Sequence, residues 1–278
     1  NVSILGDGLT SLTLAKMLVN QGVKVDIFSD KKIKKYNKKQ TLGISKTNIE
    51  FFNKHVLNIN KFLWNIDNIE IFSENLKNQK ILDFQNKNNN LFSIARNHDL
   101  YHCLLSNLKK NKLISFKKKN KFLEKLICRY DLVFNCNHSN SISKKFFFRK
   151  IDKDYKSFAH ITTIEHKKIP NNHIASQVFT KNGPLAFLPI SPSETSVVYS
   201  AKGQKNIDIR NCIQKYNMRY QNLKFNKTYY FELKSSNLRS YYYKNIIAFG
   251  DLLHRLHPLA GQGFNMTIRD MKELQRLI

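Results

Sequence analysis

The sequence predicts an α/β fold in which helix-and-strand material at both ends of the chain brackets a β-rich middle. Three observations predict it. Within the first ~30 residues a short apolar run is followed by apolar residues at helical spacing and then by an alternating run. From Ser157 to Ala201 short alternating apolar runs follow one another. Near the C-terminus a buried-strand run ends in Gly250-Asp251, and a helical pattern then opens on Gly261-Gln262-Gly263.

In chain order, Val2–Leu5 is a short apolar run followed by a glycine-bearing turn. Leu9–Gln21 carries Leu9, Leu12, Leu14, Ala15, Leu18 and Val19 at helical spacing, and Gly22 stops it. Val23–Phe28 alternates as a strand, which completes a βαβ unit. Lys46–Lys54 reads as a helix. Ile69–Phe72 and Lys80–Phe84 read as strands joined by a polar loop. Asp99–Lys110 is an amphipathic helix and Asp131–Asn135 a buried strand. The middle supplies Phe158–His166, Ile174–Thr180, Pro184–Ile190 and Thr195–Ala201 as strands. Asn206–Tyr220 reads as a helix and Lys227–Lys234 as a further strand. No internal repeat is present. This is the pattern of a nucleotide-binding domain, residues 1–50, 93–150 and 241–278, interrupted by a β-rich domain, residues 51–92 and 151–240.

The chain starts on an apolar run and stops inside a helical pattern, so trimmed ends are expected. Its formal charge is +27, from 47 Lys and Arg against 20 Asp and Glu. Lysine and asparagine are abundant throughout, including the turns. No zinc-finger spacing or RNA-binding aromatic motif accompanies the charge, so a compositional bias is the simpler reading and no nucleic-acid partner is expected. A positive surface also suits contact with anionic lipid. No apolar run reaches the ~18 residues of a membrane span. The four cysteines form no C-x-x-C pair and are expected as reduced, mostly buried thiols of a cytoplasmic protein.

Two motifs carry chemistry. In Ile4-Leu5-Gly6-Asp7-Gly8-Leu9-Thr10-Ser11, the first two glycine places of G-x-G-x-x-G are filled by Gly6 and Gly8, and the third by Ser11. The first glycine serves the tight turn and the second lets backbone approach a pyrophosphate. The third position must be small so that helix packs on strand. The following helix presents its N–H groups and positive dipole end to phosphate. The acid that grips a ribose belongs at the end of the second strand. The count falls on Ser29, with Asp30 one step later, and either fills the role. In the second motif Asp251, directly after Gly250, is placed to accept a hydrogen bond from a sugar or ribityl hydroxyl. Pro258 fixes chain direction, and Gly261-Gln262-Gly263 leaves bare backbone at a helix start, where negative charge on a flat ring is stabilised.

Together these stretches resemble the FAD-dependent aromatic-ring monooxygenases related to p-hydroxybenzoate hydroxylase, and within them the ubiquinone-biosynthesis hydroxylases. Gly250, Asp251, His254, His257, Pro258, Gly261, Gln262, Gly263, Asn265 and Asp270 match the family's second flavin motif. Gly183-Pro184-Leu185 and Leu188-Pro189 match its middle. A third family motif, Asp-Gly after a buried strand, is replaced by Asn137-His138. Ser141 is kept, and Lys144 stands for an arginine. That motif serves both FAD and NAD(P)H, so its loss bears on pyridine-nucleotide use, and His138 is strained if its φ is positive.

The resemblance implies a Rossmann-like FAD-binding domain and a β-rich substrate domain. It implies FAD as cofactor, with NAD(P)H as transient electron donor and O2 as co-substrate, in hydroxylation of an aromatic ring. The expected substrate is a lipophilic polyprenyl phenol of ubiquinone biosynthesis, met by a protein peripheral on the membrane and in a biosynthetic complex. FAD contacts fall on Gly6, Gly8, Ser11, Ser29, Asp30, Arg96, Gly250, Asp251, Gly261, Gly263, Phe264 and Asn265. Pro258 and the Gly261-Gln262-Gly263 opening flank the reacting edge. Phe179, Phe187 and Leu188 are candidate pocket liners. No metal is implied. His138, His254 and His257 read as packing or hydrogen-bonding groups rather than acid–base catalysts. The alternative is a diverged FAD-binding protein without turnover that acts as a scaffold.

Overall fold

A computed structural model describes residues 1–29, 40–77, 79–85, 90–118, 128–203, 205–256 and 262–278. Asp30, His257, Pro258 and Gly261 lie outside the described residues. In chain order the elements are β1 (Val2–Leu5), α1 (Leu9–Asn20), β2 (Val25–Ser29), β3 (Thr41–Ser45), α2 (Lys46–His55), β4 (Leu63–Ile66), β5 (Asn68–Ser73), β6 (Gln79–Gln85), β7 (Phe92–Arg96), α3 (Asn97–Lys109), β8 (Ile114–Lys118) and β9 (Leu132–Asn135). Then come α4 (Ser141–Phe146), β10 (Lys150–Glu165), β11 (Ile174–Thr180), β12 (Gly183–Pro189), β13 (Glu194–Lys202), α5 (Ile209–Tyr216), β14 (Lys224–Phe225), β15 (Tyr229–Leu238), β16 (Tyr242–Tyr243), β17 (Ile246–Ala248), β18 (His254–Arg255) and α6 (Gln262–Leu277).

The first sheet has the order β16-β17-β9-β1-β2-β8, parallel throughout except for the β16–β17 hairpin. Both of its faces are covered, which is why β1 and β9 read as nearly continuous apolar runs. Alternate residues divide between two cores. Ile4, Ile27 and Phe134 join α1, α2, α3 and α6 on one face. Leu5, Phe28 and Val133 join Ile142, Phe147 and Leu238 on the other. β17, more than 200 residues after β1 in sequence, enters this sheet beside β9, and so carries the Gly250-Asp251 motif to the sheet's carboxyl end, where the β1–α1 turn lies.

The second sheet runs β18-β15-β10-β13-β12-β11-β5-β6, with β14 also paired to β10. It is the β-rich middle with β5 and β6 added through a parallel β11–β5 pair. β10 starts at Lys150, well before the expected Phe158, because its charged first half pairs with β15. Period-two alternation sends Leu185 and Phe187 of β12 into a core with α5. α5 is shorter than the predicted Asn206–Tyr220 helix. The Asp208 carboxylate accepts from Arg210 N (3.0 Å) and Asn211 N (3.2 Å) as its cap. Asn217 ends it by accepting from Tyr220 N at 2.8 Å. A third sheet, β3-β7-β4, was not expected; its β4–β7 pair crosses the predicted 92/93 boundary. The four cysteines are unpaired; Cys128 is exposed, Cys103 and Cys212 are half-buried, and the thiol of Cys136 is buried, so the expectation of mostly buried thiols is met only in part.

The edge of the parallel sheet is tied by Asp26, whose carboxylate accepts from Lys117 Nζ and Tyr130 Oη, both at 2.6 Å. Burial alone would raise the Asp26 pKa, but the Lys117 and Tyr130 hydrogen bonds outweigh it and hold the carboxyl below its ordinary value. A carboxylate with a depressed folded pKa stabilises above its unfolded value, and that contribution fades as pH falls through the folded one. Solvent around half-exposed Lys117 screens the pair, so Asp26→Asn is expected to cost about 1 kcal/mol at neutral pH. Urea titrations of the two proteins at pH 7 and pH 3 check this: the gap should narrow at the lower pH.

Candidate active site

The β1–α1 turn is built as the glycine pattern requires. Gly6 has φ +121°, and a Cβ there would lie 3.2 Å from Ser11 Oγ and 3.6 Å from Asn137 Cβ. Gly8 caps α1 in extended backbone without a side-chain cap bond, so what it supplies is bare backbone rather than a left-handed turn. Ser11 is buried against the turn. Its Oγ faces the Cys136 thiol, which burial, followed by the nearby Asp251 charge, pushes up to about 12.

The two ends of the chain meet here. Gly250 has φ +62°, and a Cβ on it would stand 2.6 Å from Thr10 Cγ2 in the first turn of α1. Only glycine permits this approach. Asp251 follows in a single 3-10 turn, exposed. It lines a cavity of about 430 Å3 together with Gly263 and Phe264 of α6, Thr41 and Gly43 of β3, and residues of the second sheet. Of the three candidate liners, Leu188 faces this cavity with Pro184 and Ala186 of the same strand. Phe187 points the other way into the α5 core, and Phe179 is largely exposed. The period of two decides all of β12 at once: residues 184, 186 and 188 form wall, and 185 and 187 form core.

Arg96 and Asn265 sit where sequence places them, but their side chains are engaged by protein. Arg96 pairs with Glu194 across the β7–β13 gap, Nη2 to Oε2 at 2.6 Å and Nη1 to Oε1 at 3.4 Å. The Asn265 Oδ1 accepts from Ser45 N (3.0 Å) and Asn48 Nδ2 (2.8 Å), and its Nδ2 donates to Gly43 O at 2.7 Å. This amide clamps the first turn of α6 to β3 and α2, and so sets where Gly263 lies. Asn48, a buried asparagine, was not anticipated, because a polar residue's burial leaves no mark on helical periodicity. Thr10 was also missed, although it stands inside the first motif. Asn265→Asp replaces the amide that donates to Gly43 O with a carboxylate oxygen and is expected to lose about 2 kcal/mol, read as a lower denaturant midpoint; Asn265→Ala should behave alike.

The replaced Asp-Gly motif forms a closed network. Asn137 Oδ1 accepts from Ser139 N (2.9 Å) and Ser139 Oγ (2.8 Å). Asn140 Oδ1 caps α4 through Ser143 N at 2.7 Å, and Asn135 bonds both Asn140 and Ser143. His138 is not among the residues of positive φ, so the strain expected there is absent. Ser29 ends β2, half-buried. Gln262 opens α6, exposed. His254 bonds Asn237 Oδ1 at 3.4 Å and lies 3.9 Å from Asp270, whose pKa burial raises against the opposing His254 charge.

These residues fit FAD. Two glycines of positive φ and one bare helix start converge with an exposed carboxylate, and a Cβ on Gly263 would meet nothing within 4 Å, so the α6 opening can receive a ring closely.

No family model matches the chain. In sequence it is similar to the human ubiquinone biosynthesis monooxygenase COQ6, mitochondrial, at 23% identity over 180 residues, 49% of this chain and 38% of that protein. The Xenopus tropicalis COQ6 matches at 21% over 177 residues, again 38% of its length. The alignments thus span well under half of the curated relatives. In structure the chain superposes over 99% of its length on p-nitrophenol 4-monooxygenase PnpA from Pseudomonas putida DLL-E4, with TM-score 0.77, 10% identity and 78% of that chain covered. It superposes likewise on 2-methyl-3-hydroxypyridine-5-carboxylic acid oxygenase (TM-score 0.74, 11% identity, 81% covered). The Pseudomonas aeruginosa PqsL complex with 2-aminobenzoylacetate gives TM-score 0.75 at 14% identity, 85% covered. The fold is that of these monooxygenases.

Proposed function

We propose that the chain is a flavin-dependent aromatic-ring monooxygenase, built as an FAD-binding unit interrupted by a β-rich substrate unit. The observation that carries this is the Gly250–Thr10 contact. It joins both motifs at one point, and the cavity opens directly from Asp251 and Gly263. Its volume of about 430 Å3 suits one substituted aromatic ring.

Bound FAD would supply two-electron exchange with NAD(P)H and activation of O2 for placing a hydroxyl on the ring. The chain's own residues bind and orient. The α1 N-terminus, uncapped at Gly8, holds pyrophosphate, and Gly6 and Ser11 keep the turn tight. Asp251 accepts a hydrogen bond from a sugar-like hydroxyl. The positive end of α6 offsets negative charge on a ring lying against Gly263. Asn265 and Arg96 position these elements from behind. Ile161, Ala186, Leu188 and Val198 form an apolar wall that excludes water from the substrate side. Ser29 or Asp30 serves the ribose, and Pro258 and Gly261 the reacting edge, on the strength of the sequence motif. We assign a lipophilic phenol of ubiquinone biosynthesis as the substrate, on the COQ6 similarity and this wall.

The test is the absorbance of the purified chain near 450 nm, followed by NADPH and oxygen-electrode measurement with a polyprenyl phenol. Flavin with substrate-stimulated oxygen uptake supports the assignment. Flavin that NADPH and NADH leave oxidised supports the scaffold reading, for which Asn137 already supplies a reason: its amide oxygen is spent within its own loop. A colourless chain that takes up no FAD overturns both.

A further inference from the structure

Two stretches unused by the flavin site meet on one face. Residues 144–151 read Lys-Lys-Phe-Phe-Phe-Arg-Lys-Ile and residues 239–244 read Arg-Ser-Tyr-Tyr-Tyr-Lys. Each is an aromatic triplet between cations, with four Lys or Arg in the first, two in the second and no acid in either. Arg239 N donates to Arg149 O at 2.9 Å, and the Phe146 and Tyr243 rings stack at 4.1 Å. Buried Phe147 roots the face in the core beside Leu238 and Ile246. What remains outside is apolar: Phe148 is 61% exposed and Ile151 59%. Cations lie over the rings of this face, Lys145 on Phe146, Arg149 on Phe148 and Lys244 on Tyr243. Asp152, the next acid along the chain, is paired with Lys150 at 3.0 Å.

We infer that this face docks on an anionic lipid surface. Exposed aromatic and aliphatic side chains ringed by Lys and Arg match the bilayer interface, where rings sink to headgroup depth and cations meet lipid phosphates. Ile151 favours lipid over nucleic acid, because an aliphatic tip gains from hydrocarbon and stacks on no base. Among the described residues no helix is long and apolar enough to cross a membrane, so the contact is with one leaflet. A second cavity of about 340 Å3, lined by Lys144, Phe148 and Lys150, leads inward to Asp251 and Arg255, which also line the larger cavity. A route for a lipophilic substrate follows if the flavin reading holds; the docking itself does not depend on that reading.

Vesicle flotation tests it, using phosphatidylcholine alone or mixed with phosphatidylglycerol. The wild-type chain should float only with the mixed vesicles. Lys145→Glu with Arg149→Glu should lower the partition coefficient at least about 25-fold, taking about fivefold for each cation removed. Phe148→Ser with Ile151→Ser should lower it several-fold at unchanged charge. A charge-matched control, Lys109→Glu with Lys110→Glu at the end of α3 on the opposite side of the parallel sheet, should keep most of the binding. All six positions are exposed, and unchanged melting temperatures confirm folding. Absence of wild-type binding, or an equal loss in the control, overturns the proposal. Tight binding of a single-stranded oligonucleotide with indifference to vesicles assigns the face to nucleic acid and overturns it as well.

Discussion

Asp251→Ala is expected to give a folded protein that has lost most of its flavin. Asp251 is exposed and belongs to neither core flanking the parallel sheet, so truncation leaves packing intact, and losing what its carboxylate touches should move stability by about 1 kcal/mol or less. Its carboxylate stands one residue after the Gly250–Thr10 contact and lines the cavity, where it can accept a hydrogen bond from a bound hydroxyl. A hydrogen bond to a charged group is worth about 1.5–3 kcal/mol, so FAD affinity should fall at least about tenfold. The measurement is 450 nm absorbance per chain after gel filtration, with thermal melting alongside. Wild-type flavin content would remove Asp251 from the site. A lowered melting temperature in flavin-free samples would show that the residue acts on the fold instead. Asp251→Asn keeps an acceptor and should retain part of the affinity.

The largest stability loss is expected from Gly183→Ala. Gly183 opens β12 with φ +135°, and a Cβ there would lie 2.0 Å from the Ser200 carbonyl oxygen. That oxygen belongs to β13, which is paired to β12 from Leu185 onward, so neither backbone can withdraw without breaking the ladder. The Thr180 hydroxyl also holds Gly183 O at 2.7 Å. Backbone strain and overpacking together should cost about 3 kcal/mol or more, a large part of an ordinary protein's margin. Gly203→Ala separates the two causes. Gly203 also has positive φ (+69°), yet an added Cβ meets nothing within 4 Å, so only strain of about 1 kcal/mol applies. Equal midpoints for the two variants in denaturant would mean that the packing of β12 on β13 is misplaced. Because Pro184, Ala186, Val198 and Ser200 are cavity wall, Gly183→Ala should weaken substrate binding too.

Much of this architecture was legible along the chain. The β1–α1–β2 unit, α2, α3 and the strands of the middle announce themselves through local period, and Gly6, Gly250 and Gly183 through residue type. The third sheet was not legible: Thr41–Ser45, Leu63–Ile66 and Phe92–Arg96 are short and mixed, and each becomes a strand only by pairing with a distant one. The charged start of β10 was missed for the same reason. Motif matching offers Arg96 and Asn265 as cofactor contacts; what it could not show is that Glu194 holds the first side chain, and Gly43, Ser45 and Asn48 the second.

By itself the sequence determined the βαβ unit, the main helices and the strands of the middle, and where glycine or a carboxylate is called for, because these follow from neighbours within a turn or two. Tertiary structure alone decided that Gly250 rests on Thr10, that Leu188 and not Phe187 faces the cavity, and that Phe146 stacks on Tyr243. Those facts depend on which strand lies beside which, and strand pairing is a long-range choice made by burial of whole faces, to which no local window of residues has access.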